Sequence, residues 1–274
     1  MPTPAREQRT RPRSRVRRSR RATCLTPATA PLDCERERPL TTLRSIIPSS
    51  ARDRLRPLLR TRPRWGNLRR SSPFSERYGY DRGTPVDRYF IAQFLETNRD
   101  DVRGAVAEIK DSKYTVAFGG DKVHERHVID LDAANPAATL VADLAQAGAL
   151  PPQSFDCFIL VQTIQYVADP AAALANAFRS LRPGGSLLLT VPSLARIDPD
   201  LGGDDLWRFT PAGLSRLVAS SCPGAQVDVS AYGNLVTAVA FLEGLAAEEL
   251  TTDELDHRDS SFVVLSCARV VAPS

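Results

Sequence analysis

Residues 181–191 read Leu-Arg-Pro-Gly-Gly-Ser-Leu-Leu-Leu-Thr-Val. The Pro-Gly-Gly segment ends any helix before it, because proline lacks an N–H donor and glycine is unfavourable inside helices. The apolar run at 186–191 is continuous instead of alternating, which is typical of a parallel strand buried on both faces. This stretch therefore predicts the end of a helix, a turn and a buried strand in succession.

Strands and helices alternate along the rest of the chain. Helices are predicted over residues 86–95, 170–181 and 236–247, and another begins at Thr210-Pro211, where threonine suits the cap and proline the first turn. Strands are predicted over residues 105–109, 123–131, 139–142, 155–161, 186–191, 227–230 and 262–271. Continuous apolar strands joined by helices predict an α/β fold, a parallel sheet with helices on both faces.

Charge divides the chain into two parts. Residues 1–70 hold 20 arginines, no lysine and five acidic residues, whereas the remainder holds 16 basic and 27 acidic residues. The first 63 residues are also rich in proline and poor in apolar side chains, which predicts a disordered tail. A nucleic-acid or membrane-surface arm is the alternative for this tail. We expect a helical cap segment over residues 64–103 and the α/β domain over residues 104–274.

Cysteine and histidine usage argues against metal and disulfide sites. The five cysteines form no Cys-x-x-Cys pair, and His124 and His127 have no third ligand close in sequence. No apolar run reaches the ~20 residues of a membrane span. No apolar segment follows the basic N-terminus, so a secretory signal is not expected. We predict a cytoplasmic protein without a metal.

Several motifs together resemble the class I S-adenosylmethionine-dependent methyltransferases, of the type 11 kind. They are Glu108-Ile109 ending a strand, acidic Asp130 and Asp143 after the next two, and the Leu-x-Pro-Gly-Gly turn at 181–185. The resemblance covers about 205 residues and implies a Rossmann-like, seven-stranded, mostly parallel sheet whose last strand is antiparallel. The segments 65–89 and 207–210 are similar to a subgroup found with sugar and polysaccharide genes, which implies a small-molecule or sugar-like methyl acceptor.

The resemblance also implies a site for S-adenosylmethionine at the carboxyl ends of the strands, where ligands of such sheets bind. Asp130 would hold the ribose hydroxyls, with Asp132 as the alternate, and Asp143 and Leu144 would lie beside the adenine. Gln162 would line the cofactor after the fourth strand. The residues expected to bind the cofactor are Glu108, Ile109, Lys110, Asp111, Asp130, Asp143, Leu144 and Gln162.

Lys110 departs from the family pattern, which prefers glycine at this turn. A left-handed backbone at lysine costs ~1–2 kcal/mol. Only about 13 residues separate Ile109 from Val123, so the first crossover helix should be short or irregular. The alternative function is therefore a non-catalytic, methyltransferase-like binding or interaction domain.

Other classes of function fit less well. A nucleic-acid enzyme disagrees with the acidic charge of the domain, and a nicotinamide enzyme disagrees with the absence of Gly-x-Gly-x-x-Gly. Arg82, Asp87 and Arg88 either clamp a substrate anion or form a surface ion-pair network. Trp207 and Arg208 either cap the substrate side or anchor a loop.

Overall fold

The structure is a computed structural model and describes residues 65–274. The tail predicted over residues 1–63 lies outside the described residues. The described part of the chain contains five α-helices and seven strands. Their bounds are α1 Val86–Thr97, β1 Gly104–Ile109, β2 Val123–Asp130, β3 Leu140–Val141, β4 Phe155–Val161, α2 Pro170–Arg179, β5 Leu181–Pro192, α3 Pro211–Ser221, β6 Gln226–Tyr232, α4 Leu235–Glu243, α5 Thr252–Asp256 and β7 Leu265–Val271.

The seven strands form one sheet in the order β3-β2-β1-β4-β5-β7-β6. Pairing is parallel from β3 through to β5, and β7 lies antiparallel between β5 and β6. The predicted Rossmann-like, mostly parallel sheet with an antiparallel last strand is confirmed. The chain runs outward from β1 to β3 and then returns to place β4 on the other side of β1. The strand order therefore reverses between β1 and β4, which is where open α/β sheets bind ligands.

Strand β4 shows why helices cover both faces. Cys157 and Ile159 point into one apolar cluster, which α1 and α4 complete, whereas Phe158 and Leu160 point into the other, with α2 and α3. All four side chains are fully buried. Alternate residues of a strand face opposite sides, so a strand buried on both sides must be apolar throughout.

The Pro-Gly-Gly segment that was predicted as a turn before a strand lies inside β5. Leu181 pairs with Phe155 and Ser186 with Cys157, so four residues of β5 bulge out opposite a single residue of β4. A side chain at Gly185 would come within 3.1 Å of the Phe155 carbonyl, which explains glycine there. The preceding helix accordingly ends at Arg179 and not at Leu181.

The structure also differs from the sequence-based prediction near the C-terminus, at two boundaries and at one helix. Helix α4 ends at Glu243 because Gly244 takes a left-handed conformation with φ 69°, so the predicted extension to residue 247 is wrong. The last strand begins at Leu265 instead of residue 262. The short helix α5 was not predicted, although Thr251 and Glu254 form the capping box that begins it.

Residues 65–274 form a single compact unit, in which α1 packs against α4 and β7. Within this part of the chain, no helix has the length and apolar character needed to cross a membrane.

Gly244 provides a test of how the N-terminal segment is attached to α4. An alanine Cβ at Gly244 would lie 2.5 Å from the Ser75 carbonyl oxygen, whereas Gly148, also left-handed, has open space around it. We expect Gly148→Ala to lower the free energy of unfolding by about 1 kcal/mol through backbone strain alone. Gly244→Ala should lower the free energy of unfolding by roughly 1–3 kcal/mol more than Gly148→Ala, which is the cost of overpacking. Urea unfolding measures both, and equal losses would contradict the close contact with Ser75.

Candidate functional site

Two left-handed non-glycine residues lie at the carboxyl ends of the two strands where the strand order reverses. Lys110 follows β1 with φ 71°, and Gln162 follows β4 with φ 48°. The Lys110 N–H donates to Ile129 O, and the Asp111 N–H donates to Ile109 O, both at 2.9 Å, which closes a three-residue turn. Each such residue costs ~1–2 kcal/mol. The surrounding hydrogen bonds maintain these conformations, and the Lys110 side chain is exposed.

Glu108 is buried at the end of β1 and binds the irregular crossover that follows it. Its Oε1 accepts from the Tyr114 N–H at 3.0 Å, and its Oε2 accepts from the N–H and hydroxyl of Thr115 at 2.7 Å each. Burial raises the pKa of Glu108, and these bonds offset part of the effect. The crossover consists of a π-helical turn, Thr115–Gly119, and a short 3-10 turn, Gly120–Lys122, which agrees with the predicted short or irregular segment. Glu108 therefore positions the π-helical turn against β1.

Asp130 ends β2, as predicted, and its carboxylate is bound on both oxygens. Oδ1 accepts from the Asp132 N–H at 3.0 Å and Oδ2 from Asn135 Nδ2 at 2.6 Å. Burial tends to raise the pKa of Asp130, but these hydrogen bonds outweigh it and hold the pKa below its ordinary value. The carboxylate is thus ionised at neutral pH. Because each of its oxygens has a second lone pair, it can still accept hydrogen bonds from a ligand.

Asn135 connects the turns that follow β1 and β2. Besides its bond to Asp130, Nδ2 donates to the Lys110 carbonyl at 2.8 Å. One side chain therefore fixes the distance between the strained turn and the carboxylate. Sequence analysis did not identify this residue. An Asn-Pro pair such as Asn135-Pro136 indicates a turn, but it does not indicate a hydrogen-bond partner.

Asp143 and Leu144, predicted beside an adenine, have different environments. The Asp143 carboxylate is half-buried and accepts from the Ala145 N–H at 2.9 Å. The Leu144 side chain is buried in the apolar cluster beneath α2, and its carbonyl accepts from Asn176 at 2.6 Å. Asp143 therefore presents a polar group at this edge of the sheet, and Leu144 packs below it.

A cavity of about 200 Å³ adjoins this edge at the carboxyl ends of β4 and β5. Residues from four separate parts of the chain line it: Tyr78, Tyr80, Asp87, Arg88, Gln162, Gln165, Tyr166, Pro192, Ala195, Arg196, Asp198, Asp205, Arg208 and Phe241. Of these, Gln162 was predicted to line the cofactor, and Asp87, Arg88 and Arg208 were given a substrate-side position as one of two alternatives. Gln162 Oε1 accepts from Gln165 Nε2 at 3.1 Å, so the strained turn after β4 forms part of the cavity wall.

Arg82 and Arg88 were expected either to clamp a substrate anion or to form a surface ion-pair network, and their positions relative to the cavity distinguish these two interpretations. Arg82 pairs with Glu249 outside the cavity. Arg88 lies in the cavity wall, with its Nε 3.6 Å from Asp87 Oδ2 and its Nη1 3.2 Å from the Tyr114 hydroxyl. Asp87 is buried, and burial raises its pKa although Arg88 opposes the shift. The surface-network interpretation therefore suits Arg82, and a ligand-facing position suits Asp87 and Arg88.

Arg208 and Trp207 likewise differ in position. Arg208 binds Asp205 through two nitrogens, at 2.5 and 2.7 Å, and this bond lowers the pKa of Asp205. The Trp207 indole donates to the Val167 carbonyl at 3.0 Å and anchors the loop. Arg208 thus lines the cavity, and Trp207 fixes the segment that carries it.

Four residues that line the cavity each contain a buried polar atom that has no hydrogen-bond partner among residues 65–274. These atoms are the Nε atoms of Arg88, Arg196 and Arg208 and the Oε1 atom of Gln165. An unsatisfied buried polar group costs about 1–3 kcal/mol, more when it is charged. Concentration of such groups in one cavity is typical of a ligand site. No cluster of three or more His, Cys, Asp or Glu side chains suited to a metal occurs in the described part of the chain.

Residues 91–189 match a methyltransferase domain family. The matched segment spans β1 to β5, and therefore both strained turns and the Asp130 and Asp143 carboxylates.

Comparison with individual proteins gave more distant similarities. A stretch of 51 residues is 51% identical to an uncharacterized 37.1 kDa protein of transposon Tn4556 from Streptomyces fradiae, covering 18% of this chain and 15% of that protein. An S-adenosylmethionine-dependent methyltransferase from Mesorhizobium loti is 17% identical, over 70% of this chain and 100% of that one, with a TM-score of 0.45. Phosphoethanolamine N-methyltransferase 2 from Haemonchus contortus, in complex with S-adenosyl-L-methionine, is 12% identical over 69% and 57%, with a TM-score of 0.43.

Asn135→Ala tests whether this residue connects the two turns. It removes hydrogen bonds to Lys110 O and to a carboxylate, and should lower the free energy of unfolding by about 1–3 kcal/mol. The lowered pKa of Asp130 contributes stability above its unfolded-state pKa, and this contribution is lost as the pH falls through the folded-state pKa. The decrease in the free energy of unfolding caused by Asn135→Ala should therefore be larger at about pH 7 than at about pH 3, as measured by urea unfolding. Asn67→Ala, at an exposed position, is the control; an equal loss at both pH values would contradict the bond to Asp130.

Proposed function

We propose that this protein transfers a methyl group from S-adenosylmethionine to a small, sugar-like acceptor. The observation that carries the proposal is the juxtaposition of two features at the carboxyl edge of the sheet. Carboxylates stand at the end of β2 and after β3 within the segment that matches a methyltransferase domain, and a cavity rich in hydrogen-bonding groups lies further along the same edge, at the carboxyl ends of β4 and β5. A cytoplasmic location stays a prediction from the sequence.

The groups at this edge fit the cofactor that such a domain uses. Asp130 is ionised and keeps free lone pairs for the ribose hydroxyls, and Asp143 offers an acceptor for the adenine amino group. The turn formed by Ile109, Lys110 and Asp111 faces the methionine portion, and Glu108 supports this turn from below. Leu144 supports the adenine side from the core, and Gln162 separates the cofactor from the acceptor.

The sulfonium of the cofactor supplies an activated methyl group, so the remaining work of the protein is positioning and proton removal. An acceptor hydroxyl must lose its proton, and a carboxylate of raised pKa is a suitable base. Asp87 lies in the cavity wall, is buried, and has such a pKa. We assign proton acceptance to the Asp87 carboxylate. The tyrosine rings and paired charges around it suit a molecule with many hydroxyl groups.

Asp87→Asn tests this assignment with an acceptor that is methylated on a hydroxyl. Removal of a general base lowers kcat by about 10²–10⁴-fold. Because the base is active only when ionised and burial raises its pKa, kcat of the native enzyme should rise with pH above the ordinary carboxyl range. The variant should lose this rise while its affinity for S-adenosylmethionine is unchanged. An unaltered pH profile would exclude Asp87 as the base.

The second candidate function is a non-catalytic, methyltransferase-like binding domain. It is favoured by the left-handed Lys110, by the crossover of only two short helical turns, and by Asn135, which spans the two turns next to the ribose position. These features narrow the space for the methionine portion. The two functions differ in one measurable property, which is affinity for S-adenosylmethionine.

Thermal or urea unfolding with and without S-adenosylmethionine separates the two functions. A ligand at 100 times its Kd raises the free energy of unfolding by about 2.7 kcal/mol. Asp130→Ala should weaken the affinity about 10- to 100-fold, because it removes hydrogen bonds to a charged acceptor. Asp132→Ala, at the alternate acid, should weaken it less. No stabilisation at millimolar ligand would favour the non-catalytic domain, and a stronger effect of Asp132→Ala would move the ribose contact to that residue.

A further inference from the structure

Arg196 differs from the other two arginines of the cavity because it has no acidic partner. Arg88 lies beside Asp87, and Arg208 is bound by Asp205. Among residues 65–274, no carboxylate lies within 4.0 Å of the Arg196 guanidinium. A permanently charged group in a cavity wall without a counterion favours an anionic ligand.

The Arg196 guanidinium is nevertheless held in place. Its central carbon lies 4.0 Å from the centroid of the Tyr78 ring, and its Nη2 donates to the Glu76 carbonyl. These contacts fix the plane of the guanidinium and leave the buried Nε without a partner. A fixed, planar donor group recognises carboxylate and phosphate oxygens with little loss of side-chain entropy.

Asp198, the remaining acid of the cavity wall, does not neutralise Arg196. Its Oδ1 accepts from the Asp200 N–H at 3.0 Å, and its own N–H donates to Asp205 at 2.9 Å. These bonds hold Asp198 within its loop. Two further Nε donors without partners, on Arg88 and Arg208, belong to the same wall. In the described part of the chain, the fully buried polar atoms of the lining residues that have no partner are thus three guanidinium Nε atoms and Gln165 Oε1.

We propose that the acceptor carries an anionic oxygen group, a carboxylate or a phosphate, which the Arg196 guanidinium binds in this cavity beside the guanidinium groups of Arg88 and Arg208. The inference rests on the proposed function, since it assigns the substrate class of the same site. The volume of about 200 Å³ corresponds to roughly seven water molecules. It limits the bound part to one small unit, such as an acidic monosaccharide.

Binding of three probes to the ¹⁵N-labelled full chain tests the proposal. The probes are glucuronate, glucose 6-phosphate and, as the neutral comparison, glucose. We expect the better of the two anions to bind at least about tenfold more tightly than glucose, and to shift the NMR signal of the Arg196 Nε–H group. The ranking of glucuronate against glucose 6-phosphate decides between carboxylate and phosphate.

Variants at Arg196 test whether this residue is responsible for the preference for the anions over glucose. Arg196→Gln should abolish the preference for the anion, whereas Arg216→Gln, at an exposed arginine of α3, should keep it. Arg196→Lys keeps the charge but loses the planar donor fork, so we expect it to bind the anion several-fold more weakly than the native protein. This variant serves the same purpose if Arg196→Gln does not fold, as judged by circular dichroism.

Three results would overturn the proposal: equal affinity for glucose and both anions, an undiminished preference in the Arg196 variants, or no binding of any probe with and without S-adenosylmethionine. Failure of the proposed methyl transfer is distinguished from failure of the anion site by the binding of S-adenosylmethionine. A chain that binds S-adenosylmethionine but shows no anion preference refutes only the acceptor class. A chain that binds the anion at Arg196 but never S-adenosylmethionine keeps the anion site and loses the methyltransferase activity.

Discussion

Parallel pairing of β4 with β1 on one side and β5 on the other is the constraint on which the rest of the structure depends. It requires side chains that are apolar on both faces, and the fully buried Cys157, Phe158, Ile159 and Leu160 meet that requirement. It also reverses the strand order next to β1. The carboxyl ends of β1 and β4 therefore diverge into crossovers on opposite faces, and an open edge remains between them.

Polar groups at this edge are organised by local hydrogen bonds instead of by glycine. Lys110 and Gln162 take left-handed conformations that cost free energy, and bonds from neighbouring strands hold them there. Glu108 binds the first of the two short turns that replace a crossover helix, and Asn135 ties Asp130 to the Lys110 carbonyl. Bonds within the chain therefore fix the positions of these polar groups, so few of them would have to be ordered on binding.

The cavity beyond this edge has a different origin. Its wall combines the segment before α1, the turn after β4 and the loop after β5. Hydrogen bonds from Phe74 and Ser75 to the end of α4 fix the first of these segments, and the bonds of Arg208 to Asp205 and to the Arg196 carbonyl fix the last. The paired charges of Arg208 and Asp205 hold the shape of the wall. The Arg196 guanidinium, which has no paired carboxylate among residues 65–274, leaves a hydrogen-bond donor for a ligand.

Much of the fold could be read from the sequence because strand burial, helix caps and turn residues are local properties. The apolar run at 155–161, the cap at Thr210-Pro211 and the alternation of elements determined the type and order of nearly every element. The acids after β1, β2 and β3 were also visible, since a polar residue at the end of a buried strand breaks a clear pattern. Boundaries were less certain, as at Gly244 and in the Pro-Gly-Gly bulge, because they depend on contacts with distant backbone.

Only the tertiary structure decided which groups share the cavity and which remain unpaired. Arg82, Arg88, Arg196 and Arg208 look alike in sequence, yet one lies in an external ion pair and two lie beside aspartates. Arg196 stacks on Tyr78 and has no counterion among residues 65–274. The partners of these arginines lie up to 167 residues away in the chain. Periodicity and composition carry no information about such pairings, because the free energy of a charge is set by its neighbours in space. The sequence by itself determined the strands of the sheet and the polar residues at their carboxyl ends, and the packing of distant loops decided which charged groups lie together beside them.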